Sequence, residues 1–295
     1  PSPKGLPSLA WSFAKARTRD PELFHALALR TVPMLAVLTP QDHANIAWAF
    51  ATLSIDNRVL FNALAQESVD RLAEFEARHI SMFAWSFATL DIEDHALFNA
   101  LAASALERVK DFSPQALANV AWSFGRLRMH HRLFAEIGQE AAMKLREFMP
   151  QGLSNLLWAF ARVGFDEPSI CRAVVGQALV LAHDFRPQHL STLMWSLATL
   201  CLDGEIACCR VVAEQARNKL DDFKPQELSN LVWSFATLGV DDEALLQSCA
   251  DESSSKISKF KSQELTNLAW SFATLAMADH DLFHKIASVA ISKQK

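Results

Sequence analysis

The sequence predicts an all-α fold: an α-solenoid, expected to wind as a right-handed superhelix, of eight helix-turn-helix repeats of about 37 residues. Three observations carry that reading. The eight tryptophans, Trp11, Trp48, Trp85, Trp122, Trp158, Trp195, Trp233 and Trp270, are spaced 37, 37, 37, 36, 37, 38 and 37 residues apart. Proline stands eight residues before the tryptophan at Pro3, Pro40, Pro114, Pro150, Pro187 and Pro225, with Ala77 and Ser262 in the third and eighth repeats. Period-2 alternation, which propeller blades would need, is absent. The chain reads as a single array with repeats 1–38, 39–75, 76–112, 113–148, 149–185, 186–223, 224–260 and 261–295.

Each element has a local cause. Thr39 or Ser113 before the proline is an N-cap followed by Pro at the first helical position. The hydroxyl takes one orphan N–H, and proline has none to leave unpaired. Helix A therefore runs from the proline to about five residues past the tryptophan. Connections such as Leu90-Asp91-Ile92-Glu93-Asp94 are short enough to force an antiparallel hairpin. Helix B follows with helical apolar spacing, as in Leu97, Phe98, Leu101, Ala105 and Val109. It closes on a phenylalanine (Phe75, Phe112, Phe148, Phe185, Phe223, Phe260) before the next cap. The first repeat opens directly on helix A, and the eighth stops near Lys295 before its closing phenylalanine. The chain is therefore expected to be a piece of a longer array.

Composition narrows the function classes. With 51% hydrophobic and 21% charged residues the chain can bury a large core and is not of the disordered class. No apolar run approaches the roughly 18 residues of a membrane span, so no membrane partner is expected. Five cysteines, an odd number confined to one half, suit a reducing intracellular compartment better than a disulfide framework. The net charge of −5 is lower than nucleic-acid binders usually carry. The start at Pro1 shows no targeting segment within these residues.

On a helical wheel with Trp at zero, positions −5, −2, +2 and +5 form the core stripe against helix B, as Leu228, Leu231, Phe235 and Leu238 do. Trp faces the other way beside a recurrent Ala at +3. Packing between repeats is its expected role, with a base-stacking platform as the alternative. A polar arc comprises positions −6, −3, +1 and +4. Position −3 holds Asn45, Asn119, Asn155, Asn230 and Asn267, whose recurrence points first to tying down backbone. Position +1 is Ser or Ala. Position +4 holds Lys15, Thr52, Thr89, Arg126, Arg162, Thr199, Thr237 and Thr274, and position −6 includes His79 and His189. These two columns vary, as a base-reading ladder would. Arg126 and Arg162 are expected to be neighbours. Arg126, Arg128, His130, His131 and Arg132 form the densest basic patch, with Arg128 and Arg132 as candidate phosphate contacts.

Catalytic signatures are missing. There is no Gly-rich phosphate loop, no CxxC and no GxSxG. The nearest lookalike, His280-Asp281-Leu282-Phe283-His284, lacks the glutamate a zincin needs, and His280 repeats the position of His95. No enzyme activity, cofactor, metal or small-molecule substrate is expected.

The units 112–124 and 224–239, with their PQxLxNLxW block, resemble octotricopeptide/heptatricopeptide repeats, helical-repeat proteins of organelles related to those that precede RAP domains. The resemblance covers the whole chain. It implies a non-catalytic α-solenoid that binds single-stranded RNA in a mitochondrion or chloroplast, supporting RNA processing, stability, translation or ribosome assembly. No RAP domain appears before Lys295, and the acidic balance keeps a second reading open: a protein-binding scaffold that holds a peptide or subunit on its concave face.

Overall fold

A computed structural model describes residues 5–202, 206–277 and 279–293; Pro3 and Lys295 fall outside them. The chain divides into two compact units, Pro1–Phe148 and Met149–Lys295. Among the described residues the first unit holds α1 (Gly5–Lys15), α2 (Pro21–Thr31), α3 (Pro40–Thr52), α4 (Arg58–Val69), α5 (Ala77–Thr89), α6 (His95–Glu107), α7 (Pro114–Arg126) and α8 (Leu133–Met143). The second holds α9 (Pro150–Val163), α10 (Pro168–Val180), α11 (Pro187–Thr199), α12 (Ile206–Arg217), α13 (Pro225–Leu238), α14 (Glu243–Lys256), α15 (Ser262–Thr274) and α16 (His280–Ser292). No strand occurs among the described residues. Odd-numbered helices are the A helices and even-numbered ones the B helices. Within each unit every A helix packs along the next A helix and every B helix along the next B helix. That stacking of hairpins on their neighbours is an α-solenoid.

Helix starts follow two rules. Thr39 and Ser113 cap α3 and α7 by accepting the N–H of Asp42 and Ala116. In four other A helices position −6 closes the turn from inside the helix, whereas α9, with Met149 at the cap and Gly152 at −6, has neither device. His79, His189, Glu227 and Glu264 accept the N–H of Glu76, Arg186, Lys224 and Lys261. Five B helices start on Asp20, Asn57, Asp94, Asp242 and Asp279, each accepting an N–H three residues on.

Every A helix ends in one way. The residue six after the tryptophan is left-handed: Arg17, Ser54, Asp91, Arg128, Gly164, Cys201, Gly239 and Ala276, with φ between +49° and +64°. The next N–H reaches back to the carbonyl two residues after the tryptophan, as Ile55 does to Phe50 and Ile92 to Phe87, at 2.9 Å. This is the Schellman arrangement, and it aims an apolar residue at the core. Only two of these eight positions hold glycine, the residue that meets this conformation without cost.

Repeats are locked together in the core by phenylalanines. Phe24 of α2 meets Phe50 of α3 edge-on at 4.8 Å; Phe61–Phe87 and Phe98–Phe124 repeat the contact at 4.9 and 5.0 Å. Each pair joins a B helix to the A helix of the following repeat. Helix B itself stops before the closing phenylalanine, contrary to the sequence expectation. A 3₁₀ turn such as Leu72–Glu74 intervenes and carries Phe75 into the core.

That turn leaves carbonyls exposed, and a cation of the next repeat covers them. The Lys144 ammonium donates to the carbonyls of Lys110 and Phe112 at 2.8 Å each. Lys219 does the same to His183 and Phe185, and Lys256 to Asp221 and Phe223. Arg71 reaches Leu38, Arg108 reaches Phe75 and Lys293 reaches Phe260. Leu181 occupies the corresponding place in the fifth repeat and has no donor.

Candidate nucleic-acid interface

The face of helix A turned away from helix B is where the sequence places its ladder. The tryptophans lie on it half-buried, and Trp11 and Trp270 are more open, at 40% and 47% exposure. Both lie in repeats that have a described neighbour on one side only. The rings are thus neither core residues nor free in solvent.

The polar arc splits into two populations. Position +1 is buried from the second repeat on: Ser86, Ser123, Ser196, Ser234 and Ser271 have no exposed surface, while Ser12 of the first repeat is exposed. Their hydroxyls donate to the carbonyl four residues back, as Ser123 does to Asn119 at 2.6 Å and Ser234 to Asn230 at 2.6 Å. Small side chains here let neighbouring A helices approach closely. Ser229 even donates across the gap to the Glu264 carbonyl at 3.2 Å. The serine column is therefore interior to the A layer, a correction to the continuous polar arc expected from the wheel.

The −3 asparagines are half-buried on the accessible side. They do not tie down backbone through their side chains. Among the described residues the amides of Asn45, Asn119, Asn155 and Asn230 have no protein hydrogen-bond partner, while Asn267 accepts from Gln263 at 3.0 Å. The open amides keep their donors and acceptor available.

Position −6 belongs to the helix caps. His79 is 6% exposed, accepts the Glu76 N–H and meets the Arg78 guanidinium at 3.2 Å. Burial, and then Arg78, pushes its pKa below the ordinary histidine value. His189 sits edge-on to Phe185 at 5.7 Å, and burial likewise lowers its pKa. The variation in this column reflects alternative ways to cap a helix, so neither ring stands on the open ladder.

Position +4 lies directly beside the tryptophans. The Lys15 ammonium is 5.3 Å from the Trp11 ring centroid and 5.5 Å from that of Trp48, bridging two successive repeats. The Arg162 guanidinium lies 5.6 Å from Trp158. Such contacts contribute roughly 0.5–1 kcal/mol each at exposed sites. Arg126 and threonines fill the column elsewhere. Thr199 and Thr274 donate to the carbonyls of Trp195 and Trp270 at 2.8 Å, Thr237 is exposed, and the Thr52 and Thr89 hydroxyls are buried without a partner.

The basic patch is partly neutralised. Arg126 pairs with Asp91 of the preceding repeat at 2.8 Å. Arg126 belongs to the first unit and Arg162 to the second. His131 caps the start of α8 by accepting the Leu133 N–H at 3.0 Å. Arg128, at the left-handed turn after α7, and Arg132, before α8, are exposed, with no ion pair among the described residues. They are the cations of the patch free to meet a phosphate.

One column was overlooked in the sequence. Position −7, at 20° from Trp on the wheel, holds Gln41, Arg78, Gln115, Gln151, Gln188, Gln226 and Gln263, all exposed. The recurrent Pro-Gln pair was its signal, but the proline drew the reading to capping alone. Chemically the face offers flat rings to stack on, amides to read edges and a few cations. Among the described residues no group of three or more His, Cys, Asp or Glu is placed to hold a metal. No helix among them is long and apolar enough to cross a membrane. The thiols are buried at Cys171 and Cys249, where burial pushes their pKa up to about 11 and about 12.

Comparison with known proteins gives one family. The profile of RESC6, the RNA-editing substrate-binding complex 6 protein, matches residues 2–140 and again 105–294. No curated protein matches the chain. Among the solved structures that match, two align with 98% of it. One is a homology model of the full-length AP-3 complex in an intermediate open conformation, at 10% identity and TM-score 0.37. This chain spans about half of that one, 51%. The other is a circular tandem repeat protein with novel repeat topology and enhanced subunit contact surfaces, at 14% identity and TM-score 0.28, with 94% of its chain covered.

Proposed function

The chain belongs to the RNA-editing substrate-binding complex 6 protein family, and from that premise we propose that it binds single-stranded RNA along its A-helix layer as a non-catalytic subunit of an RNA-editing assembly. The observation that carries this is the accessible face itself: half-buried tryptophans, asparagine amides without protein partners and exposed glutamines recur in register. Stacking platforms and amide donors suit unpaired bases, which present both a flat face and a hydrogen-bonding edge. The likeness to octotricopeptide repeats is the finer form of this reading. With it go an organellar setting, mitochondrion or chloroplast, and a part in RNA processing or stability.

The test is fluorescence anisotropy with labelled single-stranded RNA at low and physiological salt. Binding that weakens with salt, and loses about two units of salt slope on Arg128→Ala with Arg132→Ala, supports the reading. A folded, helical sample that does not bind RNA at low salt refutes it.

A protein partner on the same face is the second reading. Besides the net charge of −5, it draws on the clamp: Arg71, Arg108, Lys144, Lys219, Lys256 and Lys293 are engaged with backbone carbonyls. The charge left for phosphates is correspondingly small.

A further inference from the structure

We infer that the +4 column sorts the gaps between successive tryptophans into filled and open slots, and that the open ones, over Thr52, Thr89, Thr199 and Thr237, each receive one nucleobase. This rests on the RNA reading above and specifies where on the ladder bases insert.

The geometry comes from the one gap whose occupant is visible. Lys15 reaches up from α1 and places its ammonium 5.3 and 5.5 Å from the centroids of Trp11 and Trp48. Aromatic pairs, whether offset-stacked or edge-on, have centroids about 4.5–7 Å apart. A flat ring at the position of that ammonium is therefore within aromatic contact distance of both indoles at once. Arg162 likewise covers the Trp158 ring, at 5.6 Å, with its own planar cation. In these two repeats the protein supplies the ligand for its own aromatic face.

Within each unit the gaps over a threonine have the same helix packing without the plug. Helix α3 packs along α5, and α5 along α7, as α1 packs along α3. The residue standing where Lys15 stands is Thr52 or Thr89, too short to rise between the rings. The same holds in the second unit for Thr199, between Trp195 and Trp233, and Thr237, between Trp233 and Trp270. Among the described residues Trp85, Trp195 and Trp233 have no ring or cation contact. One turn before Trp48 and Trp233, the amides of Asn45 and Asn230 stand ready at the slot edge to meet the base's polar rim.

A nucleobase is the occupant these features select. It is planar, it stacks between indoles as no aliphatic group does, and it carries a rim of donors and acceptors for the asparagine. The lysine-filled gap shows that an electron-poor group is welcome there, in keeping with the negative faces of the rings.

The experiment uses the whole chain and a mixed-sequence RNA of about 20 nucleotides, long enough to span several sites, with an abasic backbone of equal length as competitor. Three proteins are compared: the parent, Thr52→Lys with Thr89→Lys, and Trp85→Leu, each checked for unchanged helicity and melting. The lysine pair copies the Lys15 arrangement into both open slots of the first unit. It is expected to weaken binding about thirty-fold, the effect of losing two stacked bases at the weak end of base–aromatic stacking, although it adds two positive charges. Trp85→Leu opens both slots on one side and is expected to weaken binding to a similar extent, with less RNA-induced quenching of indole fluorescence. The abasic competitor is expected to displace RNA poorly. If the parent binds RNA but the lysine pair binds as tightly or more tightly, or the abasic chain competes equally, the slots are not base sites. RNA binding by this face then survives on phosphate contacts alone. If the parent binds no RNA, the slots and the RNA reading fall together. Should Trp85→Leu prove unstable, the lysine pair and the abasic competitor decide the matter by themselves.

Discussion

Lys144→Met removes a carbonyl clamp while keeping its aliphatic stem. In the folded chain the ammonium donates to two carbonyls of the preceding repeat at 2.8 Å and pairs with Glu140, also at 2.8 Å. Glu140 is 5% exposed, so deleting the lysine leaves a carboxylate in a poorly solvated place without its cation. Breaking such a pair from one side costs about 3–5 kcal/mol. Removing both charges, with Lys144→Met and Glu140→Leu together, eliminates the stranded carboxylate. What is lost then is only the two hydrogen bonds from the ammonium, which the single variant loses as well, at about 1.5–3 kcal/mol each for a charged donor. The double variant is therefore expected to be more stable than the single one. Urea unfolding followed by far-ultraviolet circular dichroism measures both, with equal m-values as the check that the folded state is unchanged. A single variant within 1 kcal/mol of the parent, or a double variant no more stable than the single, refutes the reasoning. In that case the clamp is a surface contact of little consequence.

Acid should destabilise the fold. Burial first, and Arg71 after it, hold the His43 pKa below its ordinary 6.5 against the Leu35 carbonyl, Glu67 and Asp42, which favour the proton. Above that pH neither folded nor unfolded chain binds the proton; below it the unfolded chain does first, so stability falls as pH drops through 6.5. Urea midpoints at pH 7.5 and 5.5 read this, and His43→Gln should shrink the difference; a parent chain equally stable at both pH values contradicts it. At the left-handed turns, Gly239→Ala should cost about 1–2 kcal/mol, because a Cβ there meets nothing within 4 Å and only the backbone conformation objects. Ser54→Gly should correspondingly raise the melting temperature, and a drop would show that the Ser54 side chain has a role of its own. Among the described thiols, Cys201, which is exposed, should react with a thiol reagent first, while Cys171 and Cys249 wait for unfolding. Prompt labelling of Cys249 in the native chain would contradict its burial.

What the sequence determined by itself was whatever a single hairpin dictates. The tryptophan period counted the repeats, Pro40 and Thr39 marked a helix start by their own chemistry, and Leu228, Leu231 and Phe235 declared the stripe that faces helix B. The place of each +4 residue beside its tryptophan also followed from the wheel, and Lys15 and Arg162 lie there. The turn geometry was partly hidden, because Ser54, Asp91 and Ala276 adopt a left-handed conformation that glycine would have announced.

Only the tertiary structure decided what touches the flanks of helix A. A wheel assigns Ser123 and Asn119 to one polar arc 40° apart, yet the serine is buried against a neighbouring A helix and the asparagine amide is left open. His79 and His189 looked like variable readers until their rings proved to be closing the first turn of their own helices. Lys144 donates at 2.8 Å to a turn of the previous repeat, 32 and 34 residues away in sequence, a partner that its own helix does not announce. The physical reason is common to all three. Local sequence sets the direction in which a side chain leaves its own helix, but burial and hydrogen-bond partners depend on the two neighbouring repeats. Their distance is fixed by packing across the whole layer.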